Sequence, residues 1–273
     1  MGVIKTYEWL KSYRKEKKNS ISENIELQRK LICSPLEIYF KDASPEEIQY
    51  HLHQYGMFLP DHKDIDVIDH MFEEGMWKTV LHQYKKLRLI WDGPDVPVFL
   101  LPANQKSKQL REELNGQSGV SHEDKVFLFV GEHSEKDRLR ALITHEYNHV
   151  CRLDYLRKEQ KELTLLDALL LEGLAEHAVQ KHVGDEYMGP WTQAYPAEKA
   201  KTGWDRWVKS NIDLKKHDPN HELLMYGKGR YPKWLGYNIG YHIISSFYSK
   251  NQVSETEALQ TPSQQILEHS MFG

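Results

Sequence analysis

A chain of 273 residues can hold one large domain or two lobes, and 40% hydrophobic with 28% charged residues excludes disorder as its general state. A net charge of −4 argues against a general attraction to nucleic acid or to an anionic membrane surface, so neither is expected as a partner. Two cysteines, Cys33 and Cys151, make no disulfide framework and suit a reducing compartment, so a cytoplasmic location is expected.

The opening twenty residues contain no apolar run of signal-peptide length, and no later run approaches membrane-spanning length. MGVIKT fits the short myristoylation pattern through Thr6, but stable anchoring needs a second signal, so no stable membrane association is expected. Residues 3–31 read as an amphipathic helix, with Ile4, Trp9 and Leu10 apolar and the basic cluster 14–18 as a solvated end. LEIYFKD (36–42) alternates like a short strand, and Ser44-Pro45-Glu46-Glu47 is a helix-start signature for 45–55. DHKDIDVIDH (61–70) gathers Asp and His without a fixed ligand spacing. It reads as the opening of a helix carrying Val67, Ile68, Phe72, Met76, Val80 and Leu81. VPVFLLP (96–102) and KVFLFVG (125–131) are apolar strands, and the polar stretch between them, with an Asn115–Gly116 turn signal, reads as a loop.

ALITHEYNHVCRL (141–153) follows, with helix-forming residues and an apolar face of Leu142, Ile143, Val150 and Leu153. Residues four apart on a helix lie nearly above one another, so His145 and His149 can offer two imidazoles to one metal ion. With Glu146 between them this is HExxH: two ligands and a carboxylate able to take a proton from water. A second helix, LLDALLLEGLAEHAV (165–179), sets Glu172 and Glu176 one turn apart in an apolar run, where a charge is costly unless paired or metal-bound. Zinc with two histidines wants one more protein ligand, which Glu172 supplies, and Glu176 can accept the other ring N–H of a ligand histidine. His177 is the competing third ligand, but it points about 100° away from Glu176 around the helix. Cys151 lies on a different face from His149 and reads as packing.

HEYNH followed by EGLAE resembles the gluzincin pattern, in which HExxH is joined by a glutamate on the next helix; 23 residues separate His149 from Glu172. THEYNHVCRL, LLLEGLAEH and the later WLGYNIGYHI together resemble the YjaZ-like bacterial family of predicted zinc-dependent proteases, over residues from about 90 to 250. The resemblance implies a zincin-like fold and peptide hydrolysis, and it says little about substrate. It also points to 125–131 as an edge strand that holds extended substrate by backbone pairing; the alternative is a central, core-forming strand.

Beyond the second helix, Gly184 and GPWTQAYP (189–196) mark a loop, and 199–212 reads as a helix with Trp204, Trp207 and Val208 on one side. YGKGRY lacks the frame of a phosphate-binding loop. Pro232 opens a helix through WLGYNIGYHIISSFY, where Tyr237 and Tyr241 share a face and His242 sits beside Tyr241. Family resemblance and chemical need both favour an oxyanion donor from this helix, so all three are candidates, against the reading of packed core residues.

The fold expected is α+β and zincin-like, with a small mixed sheet in the N-terminal half, a mainly helical C-terminal half and an active-site helix carrying HExxH. Lobe 1–155 would hold the strands and that helix, and lobe 156–273 would supply the third ligand. Zn2+ is expected on His145, His149 and Glu172, with Glu146 as general base and a peptide or protein as substrate. A zinc amidase for a small molecule, or a non-catalytic zinc-containing binding protein, would use the same residues and stays open.

Overall fold

The computed structural model describes residues 2–61, 63–158 and 160–273. The chain divides into two compact units, Met1–Lys86 with Asp95–Ile143, and Leu87–Pro94 with Thr144–Gly273. It is a mixed α+β protein, with a small mixed sheet in its N-terminal half and a mostly helical C-terminal half.

The first unit contains strands β1 (Gly2–Val3), β2 (Pro97–Pro102), β3 (Ser118–Ser121) and β4 (Val126–Val130). With them are helices α1 (Thr6–Glu16), α2 (Ile21–Gln28), α3 (Pro45–Gln54), α4 (Asp64–Glu73), most of α5 (Met76–Trp91), α6 (Lys108–Glu113) and the start of α7 (Lys136–Leu156). Strand order is β1-β2-β4-β3, with β1, β2 and β4 parallel and β3 antiparallel to β4. Every residue of β2 and β4 is buried, as unbroken apolar runs in parallel pairs require, and Phe99 stacks on its register partner Phe127 at 4.7 Å. The strand at 125–131 is therefore interior, which is the core-forming alternative rather than the edge reading. The edge on that side is β3, whose sequence SGVS carries too little apolar pattern to be recognised inside a polar stretch.

Three local expectations change for local reasons. The helix expected over 3–31 breaks after Glu16 and restarts where Ser20 caps α2 by accepting from the Glu23 N–H. LEIYFKD is not a strand: the chain continues from α2 through a π-turn (Arg29–Cys33) and a 3-10 turn (Ser34–Tyr39), burying Leu36 while Ile38 is 83% exposed. The long helix expected through 67–81 is two, because Gly75 takes φ 61 between α4 and α5. Ser44 and Glu47 do form the capping box that starts α3. In the acidic stretch 61–70, His62 lies outside the described residues.

The second unit is built on the rest of α7 and on α8 (Leu165–His182), α9 (Ala197–Gly203), α10 (Pro219–Tyr226), α11 (Leu235–Lys250), α12 (Glu255–Gln260) and α13 (Ser263–Glu268). Thr164 and Asp167 form the capping box of α8, which buries Leu165, Leu166, Leu169, Leu170, Leu174, Ala178 and Val179. Two glycines let α8 and α11 approach closely: a Cβ on Gly173 would strike the Gly240 carbonyl, and one on Gly240 would strike the Leu169 carbonyl. Helix α11 begins at Leu235, not at Pro232. Residues 227–234 fold back first, and the Trp234 N–H donates to the Tyr226 carbonyl at 2.8 Å. Among the described residues, no helix is long and apolar enough to cross a membrane.

Candidate metal centre

All the residues singled out around HEYNH and EGLAE fall in the second unit. His145 and His149 stand one turn apart on α7, their ring centroids 4.5 Å apart, and Glu172 faces them from α8. Glu172 Oε2 is 3.3 Å from His145 Nε2, and its Oε1 is 3.7 Å from His149 Nε2. One ligand atom from each of the three side chains lies within 4.8 Å of the other two, so the group could hold a metal ion.

Proton positions sharpen that statement. His145 Nδ1–H donates to Glu176 Oε1 at 2.9 Å, because a carboxylate can only accept. The other oxygen of Glu176 accepts from the Gly189 N–H at 2.7 Å, so the carboxylate is held from two sides. In neutral His145 the second nitrogen, Nε2, then carries a lone pair, and it faces the Glu172 carboxylate. The 3.3 Å contact lacks hydrogen-bond geometry, and Glu172 Oε2 is buried without a hydrogen-bond partner, as is His149 Nδ1. Facing acceptors in a buried site call for positive charge between them. A second proton on His145 is one source: burial opposes it, but Glu172 and Glu176 outweigh burial and raise the His145 pKa well above the usual histidine range. His149 goes the other way, held neutral by burial and by the charges of His145 and Lys216. A divalent cation is the other source, and two imidazoles with one carboxylate are the donor set that zinc takes. The residues present fit the ion.

Glu146 is buried on α7, and its charge reaches the Tyr237 hydroxyl. Burial, then the charge on Glu172 and the hydrogen bond with Tyr226, with Glu146 contributing, push the Tyr237 pKa well above the ordinary tyrosine value. The structure thus brings Tyr237 toward the cluster. It does not do the same for the other two candidates of α11. His242 donates from Nε2 to the Tyr195 carbonyl at 2.9 Å, and Tyr241 packs its ring 5.3 Å from His242. His177, the competing ligand, packs on Tyr248 at 3.9 Å and stays out of the group. Cys151 is fully buried and its thiol is pushed up to about 12 by burial.

Sequence reasoning passed over three contributors. Trp191 lies 6.3 Å from the His145 ring, in a segment that read only as loop. Asn238 is fully buried and donates to the carbonyls of Trp191 (2.9 Å) and Tyr195 (3.1 Å), fixing that segment. Gly240 sets the α8–α11 distance. Only the glycine had a legible signal, the small-residue spacing Gly236-x3-Gly240.

This fold and donor set define a mixed α+β protein with a part-buried group of two histidines and one glutamate that could hold a metal ion. The chain belongs to the family described as "Predicted Zn-dependent protease (DUF2268)", whose model matches residues 76–268. It is 33% identical over 268 residues to the uncharacterized protein YjaZ of Bacillus subtilis (strain 168), covering 98% of this chain and 99% of that one. It is 27% identical over 140 residues to the uncharacterized protein YjfC of the same organism, covering 48% of this chain and 46% of that one. No solved structure matches the chain significantly.

Proposed function

We propose that the protein is a zincin-like, gluzincin-type metallopeptidase of the cytoplasm, with zinc held by His145, His149 and Glu172 and a peptide or protein as substrate. Bound there, zinc supplies a Lewis acid that polarises a peptide carbonyl and makes water more acidic. Glu146 accepts the proton of the attacking water and passes it to the leaving amine. Tyr237, whose raised pKa keeps it protonated near neutrality, donates its O–H to the charge that develops on the carbonyl oxygen. Glu176 fixes the tautomer of His145, so that Nε2 faces the ion.

The observation that carries this reading is the meeting of three metal-ligating side chains from two helices, one ligand atom of each within 4.8 Å of the others. Glu146→Gln should keep stoichiometric zinc while peptide turnover falls by about 10²–10⁴. His149→Ala should lose both. Elemental analysis beside a peptide-hydrolysis assay separates the two, and a fully active Glu146→Gln protein would overturn the mechanism.

A further inference from the structure

Four aromatic side chains gather beside the candidate centre in the second unit. The Trp191 ring lies 5.2 Å from Tyr237 and 5.5 Å from Trp234, and Tyr226 lies 5.5 Å from Tyr237 and 6.3 Å from Trp234. Trp191 is buried against His145, whereas Tyr226, Trp234 and Tyr237 are half-buried.

The backbone that presents Trp234 is unusual. Its φ of 63 and ψ of 22 lie in the left-handed region, where glycine is relaxed and a bulky L residue is a rare outlier. Three hydrogen bonds hold the turn: Trp234 N–H to the Tyr226 carbonyl at 2.8 Å, Leu235 N–H to Pro232 at 3.1 Å, and Asn238 N–H to the Trp234 carbonyl at 2.9 Å. A left-handed tryptophan, half-buried on Trp191, Tyr226 and Tyr237 beside the candidate centre, is the kind of strained position that clusters at functional sites. Lys228, paired with Glu222 at 3.8 Å, lies over the Tyr226 ring at 4.8 Å from its centroid, and Lys233 lies over that of Trp234 at 5.3 Å.

We infer that Tyr226, Trp234 and Tyr237 form a subsite for an aromatic side chain of the peptide substrate, beside the bond to be cleaved. The inference rests on the peptidase reading above and adds to it a substrate class. An aromatic side chain can extend this ring cluster by offset or edge-on contact, which an alanine cannot.

The test uses the zinc-loaded full chain carrying Glu146→Gln, so that ligands are bound and not turned over. Probes are fluorescein-labelled, amidated heptapeptide pools with Phe, Ala or Lys fixed at the centre, read by anisotropy. The Phe pool should bind about tenfold or more tighter than the Ala and Lys pools. Adding Trp234→Gly, with zinc stoichiometry retained as the check that the site is folded, should shrink the Phe advantage to within about threefold. Trp234→Phe should keep the advantage. Equal binding of the Phe and Ala pools, no binding of any pool, or a Phe advantage that survives Trp234→Gly would overturn the subsite. A Trp234-dependent Phe preference, in a wild-type chain that cleaves none of the pools, would leave the subsite standing and remove the peptidase reading instead.

Discussion

Helices α7 and α8 carry two buried polar clusters, and the contrast between them separates scaffold from site. Near the end of α7, Arg152 is fully buried and donates to the carbonyls of Leu259 and Thr261 at 2.6 and 2.7 Å and to Ser263 Oγ at 3.1 Å. Asp167 accepts from Ser263 and Lys158 and from the Thr164 N–H. Acceptors are matched to donors there, and only Arg152 Nε lacks a partner. Two turns earlier on α7, His145 Nε2 meets Glu172 Oε2 at 3.3 Å and, one turn on, His149 Nε2 lies 3.7 Å from Glu172 Oε1. Glu172 Oε2 and His149 Nδ1 are buried there without hydrogen-bond partners. The first cluster is complete without a ligand and ties the C-terminal helices to α7. The second leaves buried polar atoms unmatched and brings together three side chains that could hold a metal ion.

The largest effect should come from breaking the complete cluster. Arg152→Ala strips donors from several buried carbonyls and should cost about 3–5 kcal/mol in urea denaturation, with or without zinc. A change below about 1 kcal/mol would show that the carbonyls of 259–261 find other donors.

The incomplete cluster should behave in the opposite way. Zinc at about a thousand times its Kd should stabilise the wild-type chain by about 4 kcal/mol, and a chelator should reverse the shift. Glu172→Gln replaces an unpartnered acceptor by a group that can donate. In the metal-free chain it also removes the charge that, with Glu176, favours a second proton on His145. Stability there should therefore fall by no more than about 2 kcal/mol, while the zinc-dependent gain disappears. A metal-free loss above about 2 kcal/mol would mean that Glu172 belongs to a structural network like that of Arg152.

Helix spacing links the two clusters. Gly240→Ala puts a methyl group against the Leu169 carbonyl and should cost about 1–3 kcal/mol by overpacking, and it should weaken zinc affinity by displacing Glu172. Retention of wild-type affinity and midpoint would show that α8 and α11 have room to spare. The smallest effect concerns pH. Burial raises the Asp167 pKa, but hydrogen bonds from Ser263, Lys158 and the Thr164 backbone outweigh it and hold the carboxyl below its ordinary value. A carboxylate with a depressed native pKa contributes stability above its unfolded value, near 4, and loses it as pH falls through the native one. Asp167→Asn should therefore flatten the acid limb of stability below about pH 4 and nowhere else.

The sequence reveals the parts of this molecule that rest on short-range chemistry. Helical spacing alone brings His145 over His149, and an unbroken apolar run alone marks β2 and β4 as buried strands. The Ser44 capping box is equally local. What stays hidden depends on partners distant in sequence. β3 is a strand because β4 offers it an edge, and Asn238 matters because its amide meets the carbonyls of Trp191 and Tyr195. The orientations of Tyr237 and His242, five residues apart on α11, are set by neighbours: one ring turns toward the cluster and the other spends its donor on a loop carbonyl. Trp234 could not be foreseen either, since the sequence around it gives no warning of a left-handed tryptophan.

Zinc stoichiometry tests the central claim most directly, by elemental analysis of untagged protein purified without chelators, beside Glu146→Gln and Glu172→Gln. The account predicts one zinc per chain in the wild type and in Glu146→Gln, and none in Glu172→Gln. A wild-type value near zero that added zinc does not restore, or one zinc per chain in Glu172→Gln, would contradict it.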